Sequence, residues 1–110
     1  MGQGNELRGA VTGDRFDGSE HRHAYPKLYD LMTTLQGRGF AVELRASPLA
    51  IIVTRPDDPT GAVQTVTCKP RVIDYDRMWF FDDASNEAFA EADDITGAAV
   101  IVSGNLSPAP

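Results

Sequence analysis

The chain has one cysteine, two histidines and one tryptophan in 110 residues, and each scarcity removes a class of function. A lone Cys68 forms no internal disulfide, whereas a secreted domain of this size commonly carries an even set, so a cytoplasmic location is expected. As a nucleophile Cys68 would need a nearby base, yet both histidines, His21 and His23, fall near the N-terminus, and the thiol reads as a small core residue. The same shortage denies the serines and threonines a proton relay, and none sits in a Gly-x-Ser-x-Gly elbow. His21 and His23 lack a third ligand, and the glycine pairs Gly2/Gly4 and Gly37/Gly39 lack the further spacing of a nucleotide fingerprint. No metal and no cofactor is expected.

Long apolar runs are also missing. The longest, Leu49 to Val53 and Ala98 to Val102, fall far short of the roughly 20 residues a membrane helix needs. The start, Met1-Gly2-Gln3-Gly4-Asn5-Glu6, has neither the charge nor the apolar stretch of a signal peptide. Positive charge is in deficit: 10 basic against 16 acidic residues give a net charge of -6. Residues 1–23 hold 3 of the basic and 4 of the acidic groups, leaving 7 and 12 for the remainder, so the acidity belongs to the folded part. Nucleic acid phosphates and anionic membranes repel such a surface, and no direct contact with either is expected.

What is present is a pattern of elements. Residues 1–23 carry five glycines and apolar residues without a period, which reads as a flexible N-terminal tail. From Ala24, Leu28, Leu31, Met32 and Leu35 recur at helical spacing, Pro26 suits a first turn, and Gly37-Arg38-Gly39 offers a left-handed stop with Phe40 folding back. Phe40, Val42 and Leu44 then alternate as a strand, Ser47-Pro48 breaks it, and Leu49 to Thr54 returns. A tight return sets Arg45 opposite Ala50, Leu44 opposite Ile51 and Val42 opposite Val53.

The turn formers Arg55 to Gly61 precede a third strand, Ala62 to about Ile73, in which Pro70 demands an edge or a bulge. After the turn Asp74 to Arg77 comes the aromatic strand Met78 to Phe81, and Asp82 to Asp93 reads as a loop. Asp93 can cap a last helix with a stripe of Ile95, Ala99, Val102 and Leu106, although the β-branched run Val100-Ile101-Val102 also suits a fifth strand over 98–102. The expected fold is therefore one α+β domain over residues 24–106: an N-terminal helix, a four-stranded antiparallel meander and a C-terminal helix packed on one sheet face, with 107–110 frayed.

Carboxylates cluster at Asp57-Asp58, Asp74/Asp76, Asp82-Asp83 and Asp93-Asp94, but each group lies in a turn or at a helix start, where Asp is favoured for local hydrogen bonding. No loop has the alternating ligands of a calcium site, and an enzyme is not expected. The distinctive feature is an aromatic and basic strip. A three-residue loop between the third and fourth strands would set Ile73 opposite Arg77, Val72 opposite Met78, Arg71 opposite Trp79 and Lys69 opposite Phe81. Val66, Cys68, Val72, Met78 and Phe80 then face the helices, and Lys69, Arg71, Trp79 and Phe81 share the reverse face with Ile52 and Arg45. Tryptophan and arginine supply much of the energy of desolvated protein contacts. A register shifted by one would instead make Trp79 and Phe81 core residues.

Gly37-Arg38-Gly39-Phe40, Cys68-Lys69-Pro70-Arg71, Met78-Trp79-Phe80-Phe81 and Ala92-Asp93-Asp94-Ile95 with Ala98-Ala99 resemble, in that order, small uncharacterised actinobacterial proteins often encoded beside helix-turn-helix regulators. The resemblance covers roughly residues 24–106 and implies no catalytic residue. Where those relatives continue the aromatic strand with tryptophans, this chain has Asp82, Asp83 and Ala84. The leading expectation is a non-enzymatic protein-interaction module, accessory to a regulatory partner or self-associating as a homodimer, with Trp79, Phe81, Ile52, Arg45, Arg71 and Lys69 as contacts. The alternative is a small-molecule site in an apolar pocket between sheet and helices.

Overall fold

The computed structural model describes residues 19–106. Of the tail expected over 1–23, residues 1–18 lie outside that range and 19–23 belong to the first helix, a correction to that expectation; the frayed end over 107–110 also lies outside it. A helix α1 (Ser19–Gly37) leads into strands β1 (Ala41–Ala46), β2 (Leu49–Thr54), β3 (Val63–Arg71), β4 (Arg77–Asp82) and β5 (Glu87–Glu91), and a helix α2 (Ile95–Asn105) follows. Neighbours in sequence are neighbours in the sheet, β1-β2-β3-β4-β5, and every pair is antiparallel. The fold is thus α+β with an antiparallel sheet and a helix at each end, and the meander has five strands where four were expected.

Helix α1 buries Ala24, Leu28, Leu31 and Leu35, the i, i+4, i+7, i+11 stripe that one helix face presents. It begins before the expected Ala24, so Pro26 sits inside the helix and not in its first turn. Burial of Ala24 and the stacking of Tyr25 on Tyr29, ring centres 6.2 Å apart, hold the chain helical on both sides of the proline. The helix ends in a Schellman motif: Phe40 N–H donates to the Leu35 carbonyl at 3.1 Å, Gly39 N–H donates to Gln36 at 3.0 Å, and Gly39 takes the left-handed φ of 95°. Phe40 is buried against that last turn, and the Arg55 guanidinium lies 5.1 Å over its ring.

The β1–β2 register is the expected one, with Arg45 opposite Ala50, Leu44 opposite Ile51 and Val42 opposite Val53. Val53, Ile51, Val66, Cys68 and Phe80 are buried on the face that both helices cover. Cys68 is a core residue, and its burial pushes the thiol up to about 12. β3 pairs with β2 only from Val63 to Val66 but with β4 from Val66 to Arg71. Pro70 therefore lies where β3 has a neighbour on one side alone, which satisfies the demand for an edge.

Strand β5 occupies part of the stretch expected as a loop. Its Glu87-Ala88-Phe89-Ala90-Glu91 sequence is poor in β-branched residues, and a bulge interrupts its alternation: Phe80 pairs with Ala90 and Phe81 with Ala88, leaving Phe89 as the extra residue. The Phe89 ring stacks on Phe80 with centres 6.3 Å apart. Residues 98–102 are helical, and α2 buries Ala98, Ala99 and Val102, with Leu106 just beyond its end. Its N-cap is Asp94, one residue after the expected Asp93, with Asp94 Oδ1 accepting from Gly97 N–H at 3.0 Å. Asp93 instead pairs with Lys27 on α1 at 2.6 Å.

Candidate interaction face

Because side chains alternate along each strand, the residues between those buried under the helices form a second face. On β3 and β4 these are Thr65, Thr67, Lys69, Arg71, Trp79 and Phe81, and neither helix covers them. The register here is shifted by two residues from the expected one: Arg71 is opposite Arg77, Lys69 opposite Trp79 and Thr67 opposite Phe81. The connection is longer than three residues because β3 ends at Arg71 in a 3-10 turn, Val72–Asp74, followed by Tyr75 and Asp76 at φ 53° and 61°. Val72, expected to face the helices, is 82% exposed there. A two-residue slip preserves parity, so Trp79 and Phe81 stay on the reverse face.

The slip also turns the expected opposing pairs into diagonal ones that remain in contact. The Lys69 ammonium lies 4.6 Å over the Phe81 ring and the Arg71 guanidinium 4.8 Å over Trp79. Lys69 also donates to Asn86 Oδ1 at 2.8 Å, and Trp79 Nε1 donates to Asp74 Oδ2 at 2.8 Å. Arg77 lies 3.7 Å from Asp74 and 3.5 Å from Glu91. Each cation thus lies close to a ring or a carboxylate, and both aromatic rings remain partly exposed.

Four of the six expected contact residues, Lys69, Arg71, Trp79 and Phe81, form this one cluster. Ile52 is half-buried on β2, between Glu43 and Thr65. Arg45 is exposed on the edge strand β1, with β2 and β3 between it and Phe81, about 14 Å of inter-strand spacing. Asn86 was not singled out from sequence, and Asp74 only as one of the turn carboxylates. Asp74 reads there as a turn residue, and only the length of the β3–β4 connection brings it under the indole. The same connection projects Val72, Ile73 and Tyr75, which are 82%, 79% and 95% exposed, the largest such exposures among the described large hydrophobic residues.

On the helix side, an open cleft of about 430 Å³ lies between α2 and the β4–β5 hairpin, bordered by Phe89, Ile101, Glu87 and a chain of polar groups. Asn105 Nδ2 donates to Gln64 Oε1 at 3.2 Å, and Gln64 Nε2 donates to Asp82 Oδ1 at 3.0 Å. Partial burial pushes the Asp82 carboxyl up, but hydrogen bonds from Ser85 and Gln64 outweigh it and hold the group below its ordinary range. Gln64, Asp82 and Asn105 along this cleft are thus bonded to one another. Among the described residues no cluster of His, Cys, Asp and Glu can hold a metal ion, and no helix is long and apolar enough to cross a membrane.

No protein-family model matches the chain, and neither a curated protein nor a solved structure is significantly similar to it.

Proposed function

We propose that this chain is a non-enzymatic interaction module whose uncovered sheet face receives a protein partner. The observation that carries the reading is the pair of cation–ring contacts, Arg71 on Trp79 and Lys69 on Phe81, on the side of the sheet away from both helices. Such groups are pre-ordered and already partly desolvated, which lowers the cost of burying them at an interface. The cations stand out on a chain of net charge -6, so the partner surface that fits them is apolar with acidic groups around it. The resemblance to proteins encoded beside helix-turn-helix regulators suggests a regulatory protein as that partner, reached in the cytoplasm and without direct contact to nucleic acid.

The second reading, a small-molecule site, has the cleft beside Phe89 and Ile101 in its favour. That cleft is open, and Gln64, Asp82 and Asn105 along it are already hydrogen-bonded to one another, so it offers a ligand little enclosure. Copurification from the native host separates the two. A stoichiometric protein that the Trp79→Ala variant fails to retain, while the variant still melts cooperatively, supports the interaction module. A metabolite bound to the isolated chain, retained by Trp79→Ala and lost on Phe89→Ala, supports the cleft and overturns the first reading.

A further inference from the structure

Strand β1 is an edge strand with the properties of an unprotected one. It pairs with β2 alone, over six consecutive residues without a bulge, and contains neither proline nor lysine. The opposite edge, β5, is shorter, bulged and acidic at both ends. Along β1, Val42 and Leu44 are half-buried against the core, and Glu43 and Arg45 are exposed on the other face. Among the described residues the side chains of Glu43 and Arg45 make no hydrogen bond or ion pair.

We infer that β1 pairs antiparallel with β1 of a second copy, centred on Leu44, to make one continuous ten-stranded sheet. In an antiparallel ladder, residues whose backbone groups point toward the partner must meet residues of the same kind. A two-fold pairing of β1 with itself is therefore centred on a residue and not between two. A centre at Glu43 sets Glu43 against its own copy, and a centre at Arg45 does the same for arginine; both oppose like charges. A centre at Leu44 sets each Glu43 opposite the other copy's Arg45, twice, on one face. On the other face it brings Leu44 against Leu44 and Val42 against Ala46, extending the half-buried apolar row across the junction. The charge pattern of β1 thus selects a second copy of this chain and a single register.

The two-fold axis of such a pairing runs perpendicular to the sheet, so both sets of helices lie on one side and both open faces on the other. This edge is a different surface from the one proposed to receive a partner protein, and it leaves that face free in both copies.

Sedimentation of the full chain over a concentration series tests the inference through a charge-swap cycle. The wild-type chain is expected to dimerise. Glu43→Arg alone and Arg45→Glu alone each raise the dimer dissociation constant by about tenfold or more, because two attractive cross-strand pairs become repulsive. The double variant E43R/R45E restores the dimer, and an equimolar mixture of the two single variants associates again, since each Arg then meets a Glu. Circular-dichroism melts of the variants confirm that the fold is retained. A wild-type chain that stays monomeric, or a dimer indifferent to the swaps, overturns the pairing.

Discussion

The indole N–H of Trp79 donates to the carboxylate of Asp74 at 2.8 Å, so a residue of the β3–β4 connection anchors the ring on the open sheet face. Removing that bond while keeping an aromatic ring, as in Trp79→Phe, strands a partly buried carboxylate that Arg77 meets only at 3.7 Å. The expected loss is about 1.5 to 3 kcal/mol of unfolding free energy by urea titration, the range for a hydrogen bond to a charged group. Asp74→Ala should cost a similar amount and loosen Val72 to Asp76, seen as faster amide exchange in those residues alone.

Adjacent residues on β4 report which face is core. Phe80 is fully buried beneath the helices, whereas Phe81 is half-buried on the open face under Lys69. Phe80→Ala should destabilise by about 3 to 5 kcal/mol, as large-to-small core replacements do. Phe81→Ala should cost about 1 kcal/mol, close to the mean for single substitutions. Equal losses at the two positions in chemical denaturation would show that the open face is packed like the core.

Much of this arrangement is legible in the sequence, and the parts that are not have physical causes. The β1–β2 hairpin can be read residue by residue because Val42, Leu44, Ile51 and Val53 alternate cleanly around Ser47-Pro48. The β3–β4 register cannot, because nothing in Val72-Ile73-Asp74-Tyr75-Asp76 announces that two β-branched residues leave the strand for an exposed 3-10 turn. Face assignment survives the error because a slip of two residues keeps side-chain parity. Strand β5 is hidden for the opposite reason: Ala88 and Ala90 carry little strand preference, and the bulge at Phe89 destroys the period that would reveal it. Of the contact cluster, parity gives Lys69, Arg71, Trp79 and Phe81, but the bond from Asp74 depends on a loop conformation that no local pattern encodes.

Helix α2 depends on its cap. Asp94 accepts from Gly97 N–H, and a Cβ on Gly97 would collide with that same carboxylate. Asp94→Ala should cost about 1 kcal/mol, a typical value for a lost N-cap. Gly97→Ala should destabilise as well, despite alanine's better helix propensity, because the added methyl displaces the cap. A stabilised Gly97→Ala variant in thermal melts would show that the cap contributes nothing.

Stability should fall on both sides of neutral pH for different reasons. Hydrogen bonds from the Thr60 backbone and hydroxyl hold Asp58 below the ordinary carboxylate range, Ser85 and Gln64 do so for Asp82 against partial burial, and Lys27 does so for Asp93. A carboxyl depressed in the folded state adds stability above its unfolded value of about 3.9, and that contribution is lost as pH falls through the folded value. Urea midpoints should therefore hold down to about pH 5 and decline below it. Cys68 acts in the other direction: its folded thiol, raised to about 12, favours the folded state at low and neutral pH and loses that contribution as pH rises from the unfolded value toward the folded one. The thiol should react with iodoacetamide only at the rate of unfolding, and rapid alkylation of the native chain would contradict its burial.

Since Trp79 is the chain's only tryptophan, its fluorescence reports on the open face directly. Iodide should quench the emission readily in the free protein, where no helix covers the ring, and much less once the copurified partner is bound. Emission shielded from iodide in the free chain, or quenching that the partner leaves unchanged, would contradict the assignment of this face as the binding surface.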